Sequence, residues 1–257
     1  MEHITSRQLL PYVLDILQMM VESGAEIYRV EESAERMLTA YGFTRVDVYA
    51  TTTNIILSLE DSDRTIKTHT RRIKQTSNDL EKIHRLNALV RMVTANKPGL
   101  EEIERQLEKI KNTPHYSAWL NILFYGIIAG AFYVFFGGRS LVEFAFSTLI
   151  GLVTGVLTKI LEDHKANKIL VKFFCSFMAS FICYLLYKVG LVYNVDYIII
   201  GNIMTLIPGI GLTNALRDLF TGDSISGVLK LIEAALLAVA IACGYIVTTI
   251  LFGGAVV

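Results

Sequence analysis

Residues 116–138 read YSAWLNILFYGIIAGAFYVFFGG, 23 consecutive residues without Asp, Glu, Lys or Arg. About 20 apolar residues in a helix cross the roughly 30 Å hydrocarbon layer of a bilayer, so this stretch assigns the chain to the membrane proteins. Further uncharged windows follow at 144–158, 173–187, 197–216 and 234–257. The two windows of 15 residues are short, but Glu143 and Lys159 flank one and Lys172 and Lys188 the other. Such long side chains reach the headgroups. The pattern predicts five spans, at about 117–136, 141–161, 169–188, 196–216 and 229–251.

Toward the N-terminus the composition changes. Residues 1–112 hold 16 basic and 17 acidic residues, whereas the remaining 145 carry 8 and 7. So few charges over 145 residues exclude a soluble globule. A net charge of zero without a basic cluster excludes a nucleic-acid binder. The fold class expected is an α-helical polytopic membrane protein with an N-terminal cytoplasmic α+β domain over 1–112 and a transmembrane domain of five helices over 113–257. Basic residues set the orientation. Lys159, Lys165, Lys168 and Lys172 follow span 2, and Arg217 and Lys230 follow span 4, against Arg139 and Lys188 in the other loops. This asymmetry puts the N-terminus inside and the C-terminus outside, in the cell membrane. The opening MEHITSRQLL shows no cleavable leader.

Within 1–112, residues 6–22, 26–40, 78–93 and 100–111 carry apolar residues at helical spacing, and Pro11 is placed in a first turn, where its missing N–H is tolerated. TRVDVYA, NIILSLE and TIKTHTR read as strands, the last two joined by a short hairpin loop at Asp61–Ser62–Asp63–Arg64. The helix 100–111 packs its apolar face on its own domain or lies along the membrane surface, alternatives the pattern leaves open. Small residues four apart, Gly126/Gly130, Gly151/Gly155 and Ala240/Gly244, predict close helix packing.

Catalysis finds no support. His69 and His84 lack partners at metal-ligand spacing, and no phosphate loop or nucleophile elbow is present. Cys175, Cys183 and Cys243 fall in apolar stretches. No enzyme activity, cofactor or metal is expected. Glu22, Glu26, Glu31, Glu32 and Glu35 accompany Arg29 and Arg36 as ion-paired helix faces.

The fourth span is broken. In NIMTLIPGIGLTNALRDLFTG (202–222), Pro208 deprives the Met204 carbonyl of its helical donor, and Gly209 and Gly211 permit irregular backbone. Freed backbone groups in hydrocarbon need partners. Asn202, Thr205, Thr213 and Asn214 gather there, and a half-helix beginning near Leu212 would aim positive N–H groups back at the break, a seat for a carboxylate. The candidate solute-binding set is therefore Asn202, Thr205, Pro208, Gly209, Gly211, Thr213 and Asn214. Glu143, Asp196, Asp218 and Glu233 are the acidic residues in or near spans. Asp218 and Glu233 are candidates to carry a coupling proton, or else simply pair with Arg217 and Lys230.

Two stretches, SGAEIYRVEES (23–33) and PGIGLTNALRDLFTGD (208–223), resemble the threonine/serine exporter (ThrE) superfamily, and the layout resembles its short, YjjP-type component. The motif matches are Pro208, Gly209, Leu212, Asn214, Asp218 and Gly222. The resemblance implies proton-motive-force-driven export of a small polar solute, an amino acid such as threonine or serine or a dicarboxylate such as succinate. It also implies a second, smaller membrane subunit of the same superfamily, or a homo-oligomer, which would account for an odd number of spans. An alternative is a membrane-anchored regulatory or binding module acting through the cytoplasmic domain.

Overall fold

The computed structural model describes residues 5–60, 64–113 and 116–252. Residues 61–63 of the expected hairpin loop, the helix stop at Pro114 and the last residues of the chain lie outside these. Contacts divide the chain into two compact units, Met1–Pro114 with Ile210–Ile232, and His115–Gly209 with Glu233–Val257. Residues 210–232, grouped with the spans by their hydropathy, cluster with the N-terminal part.

The N-terminal unit begins with α1 (Ser6–Glu22) and α2 (Ile27–Ala40). The Thr5 N–H donates to Gln8 Oε1 at 3.1 Å, closing the start of α1. Because α1 starts at Ser6, Pro11 lies inside the helix rather than in its first turn, a correction of the expected placement. β1 (Val46–Ala50), β2 (Asn54–Glu60) and β3 (Ile66–Arg72) form an antiparallel sheet in the order β1-β2-β3. Its inner row includes Ile55, Leu57 and Leu59, which alternate with half-buried residues along β2. On β3 the same row continues as Lys67, His69 and Arg71, because those residues face Leu59, Leu57 and Ile55 in the register. Arg71 reaches Asp15 of α1 at 2.8 Å. Helices α3 (Leu80–Asn96) and α4 (Leu100–Lys111) complete the layer. Ile103, Leu107 and Ile110 of α4 are buried in the same core as Leu17, Met37 and Leu57, so this face packs on its own domain.

Two helices after the break join this unit: α9 (Gly209–Thr221), apart from its first residue, and the first residues of α10 (Ser224–Leu251). A Cβ at Gly227 would stand 2.9 Å from the Ala215 carbonyl oxygen, which marks how closely the start of α10 approaches α9. Gly222, with φ +100°, makes the left-handed turn between them.

The apolar unit holds α5 (Ala118–Phe135), α6 (Leu141–Asp163), α7 (Lys168–Lys188), α8 (Val195–Met204) and the remainder of α10. Helices α5, α6, α7 and α10 are each long and apolar enough to cross a membrane, and the bent pair α8 and α9 raises the number to five if it is one span. Helix α8 alone, at ten residues, reaches about 15 Å, half of a hydrocarbon layer. The small residues do their expected work. A Cβ on Gly151 would meet Ala129 Cβ and the Tyr125 carbonyl oxygen, each at 2.7 Å, and one on Gly244 would strike the Phe173 carbonyl. Thus α6 closes on α5, and α10 on α7.

Candidate functional site

The break spans residues 205–208, between α8 and α9. Helix α8 ends in a tight turn: Thr205 Oγ1 donates to the Asn202 carbonyl at 2.7 Å, and the Leu206 N–H to Ile203 O at 2.9 Å. The side-chain hydroxyl thus competes for a carbonyl that a continuing helix would have used. Helix α9 starts at Gly209, three residues before the expected Leu212.

Asn202 is wholly buried. Its Nδ2 donates to Ile198 O at 2.9 Å and to Ser147 O and Oγ at 3.3 Å. Ser147 Oγ spends its own proton on Ala129 O at 3.1 Å, which leaves it an acceptor for the amide and fixes the orientation of Asn202. Asn202 therefore ties α8 to α6, and its Oδ1 is buried with no hydrogen-bond donor among the described residues.

A cavity of about 490 Å³ opens in the apolar unit between α5 and α6. Its polar lining includes Asn121, Tyr125, Thr158, Lys159, Glu162, Asp163 and Thr205, on walls of Ile122, Phe124 and Ile128. The Tyr125 hydroxyl lies against Thr158, whose Oγ1 donates to Thr154 O at 2.9 Å and lies 3.3 Å from Cys175 Sγ. Lys159 holds Asp163 at 2.8 Å. An apolar cleft carrying a few convergent polar groups of both signs is the usual form of a small-molecule site. Thr205 is the one sequence-predicted residue in this lining. Tyr125, Thr158, Lys159 and Glu162 were missed; the signal available was the polar spacing 158, 159, 162 at the end of α6.

The other predicted residues fall elsewhere. Asn214 and Asp218 belong to the N-terminal unit, as do Gly211 and Thr213. Pro208 and the exposed Gly209 lie at the break itself. Glu233 is half-exposed and stands 3.6 Å from Lys168. Asp218 is fully buried. Its Oδ1 accepts from the Ile27 N–H at 3.3 Å and its Oδ2 from Lys230 Nζ at 2.6 Å. Asn214 Nδ2 donates to Gly24 O at 3.1 Å, and Arg217 pairs with Glu26. The two stretches that carry the family resemblance therefore dock on each other. Gly24 takes φ +89°, and a Cβ there would come within 2.6 Å of the Ser77 carbonyl oxygen, so this turn admits only glycine without displacement.

A third polar centre lies where α5, α6 and the α7–α8 connection meet. Glu143 is 2% exposed, and among the described residues no cation hydrogen-bonds to it. Oε1 accepts from the N–H groups of Tyr193 and Asn194, both at 2.9 Å, and Oε2 from the Tyr133 hydroxyl at 2.8 Å and Asn194 Nδ2 at 3.1 Å. Tyr133 in turn accepts from the Ser140 N–H at 3.1 Å. This carboxylate is enclosed by donors and gathers three segments of chain.

Long apolar helices, a cleft carrying a few polar groups and a bent helix pair, together with a small α+β unit, are the features of a helical membrane transport protein. The chain belongs to the ThrE family, described as "Putative threonine/serine exporter", whose model matches residues 11–252. It is 25% identical over 240 residues to the "Probable succinate transporter subunit YjjP" of Klebsiella aerogenes, covering 91% of this chain and 90% of that protein. It is 22% identical over 252 residues to the "Probable threonine/serine exporter" of Mycobacterium tuberculosis, covering 96% of this chain but 47% of that protein. The chain thus spans about half the length of the mycobacterial relative. No solved structure matches it.

Proposed function

We propose that the chain is one subunit of a secondary exporter for a small polar metabolite, an amino acid of the threonine/serine type or a dicarboxylate such as succinate, driven by the proton motive force. In this reading it sits in the cell membrane with the bent pair α8 and α9 as the fourth of five spans, the N-terminus inside and the C-terminus outside. A second, smaller membrane subunit or a second copy of the chain completes the pathway; the half-length match to the mycobacterial exporter supports this. The observation that carries the solute site is the cavity bearing Lys159, Glu162, Tyr125 and Thr158 next to Thr205 at the end of the interrupted helix. Hydroxyls and charges of both signs beside the apolar walls offer partners to a carboxylate, an amine or an alcohol.

The site is tested by efflux from preloaded cells expressing the chain, alone and with a candidate second subunit. Thr158→Val and Lys159→Met, at wild-type membrane abundance, should slow efflux of the transported solute or raise its half-saturating concentration. Unchanged efflux by both would remove the solute from this cavity. The alternative of an anchored binding module leaves both the cavity and the break without a role.

A further inference from the structure

Helix α2 is left uncapped by its own sequence. Its N-cap residue, Glu26, makes no side-chain cap hydrogen bond, and there is no acidic residue in its first turn. The first N–H groups of a helix need acceptors, and the helix dipole favours negative charge there. Both needs are met from a remote part of the chain. Asp218 of α9 accepts the Ile27 N–H, and the Tyr28 N–H is directed at Asp223 in the α9–α10 turn. The Glu26 carboxylate, freed from capping, is held between Arg29 and Arg217. Lys230 of α10 balances the buried Asp218. On the side of the 23–24 turn formed by residues 77–79, Ser77 N–H bonds Glu22 O at 2.7 Å and Asp79 N–H bonds Ser23 O at 3.0 Å. The turn is therefore gripped from two directions.

We propose that Asp218 is a positioning residue, and that its pairing with the N-terminus of α2 makes the N-terminal domain and α9 one moving body during export. Gly209 joins α9 directly to the break, so a displacement of the domain is passed to the interrupted helix through α9. The buried pair with Lys230 resists separation, because parting it leaves a charge without a partner in the interior. This assigns the cytoplasmic domain a mechanical part in transport. It rests on the exporter reading above.

The test uses the full-length chain in membranes. Glu26→Cys and Arg217→Cys are introduced together, and export is measured before and after treatment with a short bifunctional thiol reagent. The double variant should export more slowly than the wild type, and the covalent link should restore export, with reversal on cleavage of the reagent. A linked protein that stays slow, or that loses its remaining export, would show that this contact must open in the cycle and would overturn the proposal. Wild-type export by the unlinked double variant, together with wild-type export by Asp218→Asn, would overturn it from the other side. The yield of cross-linked protein is read independently of any solute. If it is high while the wild-type chain exports none of the candidate solutes, the exporter reading has failed and the docking geometry has not.

Discussion

Asp218 and Ile27 lie 191 positions apart in sequence, yet the Asp218 carboxylate accepts the Ile27 backbone N–H. Asp218 is fully buried, and its other oxygen is taken by Lys230. Asp218→Ala removes one half of a buried pair and leaves both Lys230 and the start of α2 without a partner. The N-terminal unit should lose about 3–5 kcal/mol, the usual cost of breaking a buried ion pair from one side. Asp218→Ala combined with Lys230→Met should recover much of that loss. Protease resistance of residues 1–113 in the full-length protein reads both changes. Equal sensitivity of the single and double variants would show that the unpaired lysine is not the source of the cost.

Arg217 and Glu26 are a milder case, since the arginine side chain is 50% exposed. Arg217→Glu sets two carboxylates together and should destabilise the unit by about 1 kcal/mol, the upper end for exposed pairs. Adding Glu26→Arg should restore the attraction. A charge reversal that fails to rescue would mean that the contact depends on geometry rather than sign.

Glu143→Gln is nearly isosteric but exchanges an acceptor for a donor. Its amide NH₂ would face N–H groups of Tyr193 and Asn194 or the Tyr133 hydroxyl, all of which now donate to the carboxylate. A loss of about 1–3 kcal/mol is expected for the unsatisfied donors. It should appear as a lower unfolding temperature in detergent. Tyr133→Phe removes one donor only and should cost less. The reverse order would show that the Tyr133 hydroxyl, rather than the Tyr193 and Asn194 N–H groups, is the donor that matters most to this carboxylate.

Gly151→Leu tests the helix contact. No space exists for a side chain between Ala129 Cβ and the Tyr125 carbonyl. Overpacking typically costs about 1–3 kcal/mol, and here a backbone atom blocks relief. The variant should fail to reach wild-type abundance in the membrane, while Gly209→Ala, where no atom would meet a Cβ within 4 Å, should be tolerated.

Asp223 gives a prediction with a sign. Burial, then the negative charge of Asp218, holds its carboxyl above the ordinary carboxylate value, while Lys230, Thr221 and the Tyr28 N–H pull the other way. The folded protein therefore binds this proton more tightly than the unfolded chain. Stability from this group is present below its unfolded value of about 4 and is lost as pH rises through the raised folded value. Asp223→Asn should gain stability relative to the wild type as pH rises from about 4 to 7. Thermal unfolding across that range measures it, and a pH-independent difference would exclude the titration as its cause. Glu31 is pushed the same way by burial and by Asp223, against the Ala50 N–H, so the same shift should shrink in Asp223→Asn.

The N-terminal strands and helices were legible because each is set by local spacing. Leu10, Leu14, Leu17 and Val21 repeat at helical intervals, and β2 alternates residue by residue. Apolar length alone marked the helices able to cross a membrane. The break was legible too, because Pro208 is a local event. What could not be read was the destination of α9. Its face of Asn214, Ala215 and Asp218 looks like the polar side of a broken span, and nothing within a helical turn of it names residues 24–27 as its partner. The cavity was hidden for a related reason. Tyr125 in the middle of α5, and Thr158 and Glu162 toward the end of α6, are ordinary in apolar helices until the two helices bring them to one opening. Glu143 resembled a span flank, since two of its donors are the Tyr193 and Asn194 backbone N–H groups, which have no side-chain signature, and Asn194 lies 51 positions away.

The capping of α2 by Asp218 bears on how the protein is made. A ribosome releases residues 23–33 long before residue 218 has been synthesised, an interval of about 190 codons or about 10–40 s at usual elongation rates. Throughout that time the nascent domain carries a helix start with open N–H groups and a glycine turn lacking its Asn214 contact. Its completion waits until the apolar helices between have been translated. The order of synthesis thus places maturation of the N-terminal domain after delivery of the chain to the bilayer, and a chain that stalls before residue 218 exposes an unfinished surface to cellular quality control.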